Sequence, residues 1–162
     1  MGTINLAALR FGDGVKSDYV RTEYSSSDVI SSLTLFAEEH FRGILSLEVI
    51  KNDSGVVTVC ADGLAYFLKL LLYRVFGRAE IKATVRCQRH EMNVTFDLCG
   101  VLIDTDGLFE IAERSGFSIE AEGDFTLRLT LPVKRTNALR VYAGDTNALL
   151  RTLYAVFFMK SE

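Results

Sequence analysis

Cysteine and histidine are scarce in this chain of 162 residues, which contains three cysteines and two histidines. Cys60, Cys87 and Cys99 lie far apart, form no Cys-x-x-Cys pair, and fall within apolar or alternating runs. Their odd number argues against a complete disulfide framework and favours buried, reduced thiols. With His40 and His90 they give no metal-ligand spacing. The sequence therefore predicts neither a disulfide-stabilised secreted domain nor a metal centre.

Long apolar runs and clusters of basic residues are also missing. No uninterrupted apolar stretch approaches about 18 residues, and no amino-terminal segment combines a basic region, an apolar core and a cleavage site. Lysine and arginine are scattered singly and the formal net charge is −3, which does not indicate a nucleic-acid-binding surface. We therefore expect a cytoplasmic protein with no direct membrane insertion and no nucleic-acid partner.

The composition is that of one folded domain, because 49% of the residues are hydrophobic and supply enough apolar surface for a core. Residues 1–27 begin with a short apolar piece, break at glycines and end in three serines, which predicts a connector. We place the domain at residues 28–133. Residues 134–162 form a carboxy-terminal extension whose last part has helical periodicity.

Three segments inside the domain show helical patterns. Residues 28–42 carry apolar side chains at spacings of three and four, with Asp28 or a preceding serine as the N-cap. A second helix follows Asp62 and Gly63, and a short third helix is predicted with Asp106 as its cap and Gly116 as its end. The apolar positions of the second helix are Leu64, Phe67, Leu68, Leu71, Leu72 and Val75.

Pairs of alternating segments separate these helices. Residues 44–50 and 56–60 flank an Asn-Asp-Ser-Gly turn signal and are predicted to form a hairpin. Residues 80–87 and 92–98 predict a second hairpin, and residues 117–121 and 125–131 a third. This order of elements predicts an α+β fold, a two-layer sandwich of a mixed, mainly antiparallel sheet with helices on one face.

Sequence detail adds a family resemblance over about two thirds of the chain. The run Asp62-Gly63-Leu64, followed by Leu68, Leu70 and Leu71, resembles the entry to an N box, and the segment from Leu108 to Pro132 ends in a family-like Thr-Leu-Arg-Leu-Thr-Leu-Pro. The domain resembles the catalytic, ATP-binding domain of sensor histidine kinases, in the superfamily shared with DNA gyrase and MutL. Residues 6–12 resemble the end of the preceding dimerisation helix, or are a chance amphipathic piece.

The resemblance implies where a nucleotide would bind, and the residues there depart from the family pattern. In the family, an N-box asparagine gives an amide oxygen to magnesium, and a second polar residue precedes it by one helical turn. Tyr73 stands at the asparagine position, and Lys69 stands at the preceding one. An ammonium repels magnesium, and a neutral phenol is a poor ligand for it. In the family's Asp-x-Gly-x-Gly motif the carboxylate reads adenine. Asp97 matches it, Gly100 is displaced by one position, and the second glycine is lost.

The family also closes a long glycine-rich lid over the triphosphate. Only five residues separate Gly100 from Asp106, too few for such a lid. No phosphoacceptor motif stands upstream, and His40 is not followed by an acidic residue. Asp104 with Asp106, and His90 with Glu91, are more simply a cap and a polar turn than catalytic pairs.

These departures predict a degenerate histidine-kinase-like domain that acts as a non-catalytic binding or dimerising module in bacterial-type signalling. One alternative is a divergent but active ATP-binding kinase domain, and another is a phosphotransfer or scaffold protein that docks a response regulator. ATP and magnesium are cofactors only under the active alternative. We expect a protein partner or self-association, because the last helix is apolar on more than one face.

Overall fold

The computed structural model describes residues 20–75, 80–101, 104–134 and 148–158. These residues contain seven strands and four helices. In chain order they are β1 (Thr22–Ser25), α1 (Ser26–His40), β2 (Leu45–Asn52), β3 (Val56–Val59), α2 (Ala61–Val75), β4 (Ile81–Cys87), β5 (Glu91–Asp97), α3 (Leu108–Ser115), β6 (Ser118–Ala121), β7 (Thr126–Lys134) and α4 (Ala148–Phe157). None of these helices combines the length and the apolar character that crossing a membrane would require.

The strands form one mixed sheet in the order β1-β3-β7-β5-β4-β2, with β6 also paired to β7. The pair β2–β4 is parallel, and the other pairs among the described strands are antiparallel. Helices cover one face, and the other face carries the polar side chains that alternate with the core residues in β4, β5 and β7. The predicted fold class is confirmed, as are the hairpins β4–β5 and β6–β7.

Helix α2 lies at the centre of the helical layer because its apolar residues surround most of its circumference. Phe67 stacks near Phe96 of β5 and Phe117, and Leu68 and Leu71 are almost fully buried, as the periodicity predicted. Helix α3 packs on one side of α2, and α4 on the other. The helix therefore faces the sheet, two helices and solvent in turn.

Helix α1 begins where a serine side chain can accept a hydrogen bond from a backbone N–H that has no partner within the helix. The Ser25 side chain accepts a hydrogen bond from the backbone N–H of Asp28 at 3.0 Å, so the N-cap is the preceding serine and not Asp28 itself. Strand β1 ends at the same residue and was not predicted, because Thr22–Ser25 carries no apolar alternation. It is a strand because β3 supplies the hydrogen-bonding partner.

The predicted hairpin of residues 44–50 and 56–60 is wrong. Strand β2 pairs with β4 at one side of the sheet, whereas β3 pairs with β1 and β7 at the other. The turn signal between them is used differently: the Asp53 N–H donates to the carbonyl of Cys87, and Gly55 exchanges hydrogen bonds with Ser26 at the start of α1. These long-range contacts carry the chain across the sheet where a local turn was expected.

The predicted cap of α3 is also wrong. Gly107 occupies the N-cap position in the left-handed region, with φ of 80°, and no side chain caps the helix. The backbone carbonyl of Asp106 instead accepts a hydrogen bond from Arg74. Gly116 ends the helix with φ of 92°, as predicted.

Two of the three cysteines are buried, reduced thiols, as predicted, and the third is exposed. Burial raises the pKa of both Cys60 and Cys87, so these thiols are poor nucleophiles. Cys99 is exposed in the turn after β5, where its φ is 52°. Its position in an apolar run predicted burial, but the strand ends before it.

The segment that the sequence assigns to an extension contributes to the core. Leu149 and Leu153 of α4 are fully buried, and α4 packs against α1 and α2. The proposed dimerisation-helix end at residues 6–12 lies outside the described residues. The domain limits themselves stay a prediction.

Close packing between α2 and α3 gives a test of this arrangement. A Cβ added to Gly63 would lie 1.7 Å from Oγ and 2.6 Å from Cβ of Ser115. Gly63→Ala should therefore destabilise the protein by about 1–3 kcal/mol, measured by chemical denaturation. Ser115→Gly in the same chain should recover part of this loss, because the clashing side chain is gone. Losses that simply add in the double variant would show that α2 and α3 do not meet here.

Candidate functional site

The α2 surface that the resemblance assigns to a nucleotide begins with Lys69, which is buried with 7% of its surface exposed. Its ammonium Nζ donates a hydrogen bond to the backbone carbonyl of Val156 at 2.9 Å. Val156 is in the last turn of α4, where carbonyls lack partners within the helix. A lysine there satisfies one of these carbonyls and lies at the negative end of the helix dipole. Lys69 thus joins α2 to α4.

Burial is also what perturbs this lysine electrostatically. Desolvation lowers the pKa of Lys69 below its ordinary value of 10.5, because the charged form loses hydration. A hydrogen bond to a single neutral carbonyl offsets only part of the lost hydration free energy. The resemblance placed Lys69 among the vestigial nucleotide contacts. The sequence did not predict its burial, because the covering helix is 87 residues away in the chain.

Tyr73 is one turn further along α2 and is 53% exposed. It borders a groove of about 330 Å³ where the carboxy-terminal ends of α1, α2 and α4 meet. The other lining residues are His40, Phe41, Leu72, Phe157 and Phe158. The ring of His40 lies 4.9 Å from Tyr154 and 5.0 Å from Phe158. The surroundings of Tyr73 are therefore aromatic, and no side chain among the described lining residues carries a carboxylate or an amide oxygen.

Asp97, the candidate adenine ligand, lies at the end of β5 on the helix-free side of the sheet. Its register partners are Lys82 and Thr126, whereas its neighbour Phe96 points into the core. One carboxylate oxygen accepts the backbone N–H of Cys99 at 2.9 Å, a local side-chain turn. Asp97 is exposed and faces away from α2.

Gly100 completes this turn with φ of 85°, and a Cβ added to it would meet nothing within 4 Å. Its glycine character therefore serves backbone conformation and not close packing. The turn is closed by the Val101 N–H, which donates to the carbonyl of Leu98 at 3.1 Å. Gly100 and Asp97 therefore belong to one turn at the end of β5.

The connection from β5 to α3 is fixed to α2 by Arg74. Its guanidinium donates to the backbone carbonyls of Asp104 and Asp106. The Asp104 carboxylate accepts the Asp106 N–H at 2.9 Å, so the two acidic residues form a local turn and do not act as a paired acid and base. Sequence reasoning missed Arg74, although a long cation beside the candidate contacts was a usable signal.

The structure therefore does not assemble the four predicted residues into one site. Lys69 is covered by α4, Tyr73 is open to solvent, and Asp97 lies on the helix-free side of the sheet, in the same turn as Gly100. Among the described residues, no group of three or more histidine, cysteine, aspartate or glutamate side chains could hold a metal ion.

No protein-family profile matches the sequence, and no curated protein matches it. The solved structures that are similar to the chain include histidine kinases and their ATP-binding or catalytic domains. The ATP-binding domain of PrrB from Mycobacterium tuberculosis is 14% identical with a TM-score of 0.49, covering 72% of this chain and 98% of that one. The catalytic domain of histidine kinase ThkA is 16% identical with a TM-score of 0.48, covering 71% and 96%. Acinetobacter baumannii AdeS is 12% identical at 0.45, covering 72% and 68%.

These proteins are of the kind that the sequence resemblance named. At such identities and TM-scores the similarity carries no argument about activity. What the chain does must therefore be argued from its own residues.

The Lys69–Val156 contact predicts contrasting effects of two substitutions at one position. Lys69→Met keeps the buried aliphatic stem and removes both the hydrogen bond and the desolvated charge, so its stability should stay within about 1 kcal/mol of the original. Lys69→Glu buries a carboxylate against carbonyl oxygens and should destabilise by about 3–5 kcal/mol. Chemical denaturation measures both, with exposed Lys134→Glu as control. If Lys69→Glu is as mild as this control, α4 does not cover Lys69.

The lowered pKa of Lys69 predicts a pH dependence of the same comparison. Between the folded pKa and 10.5 the unfolded chain holds a proton that the folded chain has released, so the free energy of unfolding rises with pH there. The original protein should therefore gain stability relative to Lys69→Met as the pH is raised toward that value. Parallel pH profiles of the two proteins would contradict the burial of this ammonium.

Proposed function

We propose that this chain is a histidine-kinase-like domain that transfers no phosphate and serves as a binding or dimerising module in two-component-type signalling. The observation that carries the proposal is the hydrogen bond from Lys69 to Val156. In this chain, helix α4 packs against the face of α2 that the family uses to bind its nucleotide. A side chain engaged in this way supports a structural role for that face.

The residues present do not fit magnesium-ATP. A buried ammonium at Lys69 repels a cation, and the phenol of Tyr73 is not a ligand that magnesium prefers. Asp97 faces away from α2, and Arg74 binds the backbone carbonyls of Asp104 and Asp106, where the family has its lid. We therefore derive no phosphoryl-transfer step for this chain. Its partner is another protein: a second copy of the chain, or a response regulator.

Nucleotide titration tests the proposal directly. Calorimetry with ATP and magnesium at millimolar nucleotide should show no saturable heat, because a triphosphate in an open groove stays hydrated and its ionic contacts are screened. Adenine recognition by Asp97 alone would contribute about 0.5–1.5 kcal/mol, too little to hold a nucleotide.

The control is Asp97→Asn, which should give the same flat titration as the original protein. A low-micromolar dissociation constant that Asp97→Asn abolishes would refute the proposal and establish the active kinase domain in its place. If nucleotide binding is absent but a response regulator is captured, the docking alternative is favoured over dimerisation.

A further inference from the structure

Strand β2 is an edge of the sheet. Among the described residues, its strand partner is β4 alone, and it ends the strand order. Its eight residues include Val49 and Ile50, which are 43% and 47% exposed. A long edge strand with exposed apolar side chains offers free backbone groups for pairing with a further strand.

A bulge determines which backbone groups of β2 point outward. The carbonyl of Ile44 accepts a hydrogen bond from Ile81, so its backbone faces β4, and so does that of Asp53, which donates to Cys87. Backbone direction alternates along a strand, but the register shifts between Val49 and Lys51. Counting forward from Ile44, the backbone groups of residues 45, 47 and 49 point away from β4. Counting back from Asp53, those of residues 52 and 50 do so.

A twofold axis between Val49 and Ile50 would bring outward-pointing residues of one copy of β2 opposite outward-pointing residues of a second copy. An antiparallel copy of β2 would place Val49 opposite Ile50 of the second copy, and Leu47 opposite Asn52. Each of these pairs joins two residues whose backbone groups point outward, which antiparallel hydrogen bonding requires. A simple strand without the bulge could pair in several registers, whereas the bulge favours the one that pairs residues 47–52 of each copy.

The charged side chains are complementary in the same register. Glu48 is aligned with Thr84 and Lys51 with Arg86 in β4, so both are on the helix-free face. The twofold places Glu48 opposite Lys51 of the second copy, and does so twice. Lys51 now lies 3.6 Å from Asp53, but both side chains are about half exposed, so that ion pair is weak and leaves the ammonium available.

We propose that β2 is a self-association edge whose partner is a second copy of this chain, paired antiparallel about Val49 and Ile50. The two sheets then form one continuous sheet, with the exposed apolar pair at its centre and two ion pairs beside it. This deepens the dimerising role proposed above and rests on it only for its place in signalling, because the edge is defined by β2 itself.

Charge reversals in the full chain test the register, with sedimentation equilibrium as the readout. The original protein should dimerise at micromolar concentrations. Glu48→Lys and Lys51→Glu each turn two attractive cross-strand pairs into repulsive ones, so each should raise the dimer Kd about tenfold or more. Glu48→Lys combined with Lys51→Glu in one chain should return the Kd to within about threefold of the original. Glu113→Lys on α3, exposed and away from β2, is the matched control and should leave Kd unchanged.

Mixing the two single variants gives a sharper outcome. One chain then carries two lysines in β2 and the other two glutamates, so the mixture should form heterodimers more tightly than either variant forms homodimers. Unchanged melting curves would show that each variant is folded, which attributes the loss to the edge.

A protein that stays monomeric at high micromolar concentration overturns the proposal, and so does a dimer that all three β2 variants leave unchanged. Neither result bears on the nucleotide titration. A dimer that binds magnesium-ATP would instead overturn the non-catalytic function and leave the β2 edge standing.

Discussion

The contact between α2 and α4 determines what the helical side of this protein can do. Helix α4 buries Leu149 and Leu153 against α2, and the Lys69 ammonium closes its carboxy-terminal end. Apolar burial supplies the main stabilisation there, and the charge-assisted hydrogen bond fixes how the helix ends are aligned. A surface that would otherwise be open to a ligand is thus part of the core.

The sheet imposes a second constraint, because helices cover only one of its faces. Helices cover the side where Phe96, Leu129 and Leu131 are buried, so the opposite side remains polar and exposed. Asp97 is on that polar side because side chains alternate strictly along β5. A carboxylate in this position can stabilise the turn at Cys99, but it cannot meet a group held by α2 on the other face.

The two proposals use different parts of this architecture and are independent in their chemistry. Loss of the nucleotide site concerns α2, α4 and the connection held by Arg74. Self-association concerns β2, whose helix-free face carries Glu48 and Lys51. A domain with an exposed edge strand is suited to binding another protein through backbone pairing.

Local sequence patterns were sufficient to predict several elements of the fold. Apolar periodicity predicted α2 and the burial of Leu68 and Leu71, and strict alternation predicted the hairpins β4–β5 and β6–β7. Periodicity reports only which side of an element is apolar, so it could not determine what covers that side. The same limit applies to Lys69, whose burial depends on a helix far along the chain.

Only the tertiary structure decided the partners of the strands and the environment of the candidate site. Strands β2 and β3 are separated by a clear turn signal, yet they pair with β4 and β7 because burial across the whole sheet outweighs one local turn. Residues 22–25 form strand β1 because their backbone pairs with β3. Local sequence fixes backbone preference and polarity, whereas the choice among distant partners depends on the total surface buried, which no short segment encodes.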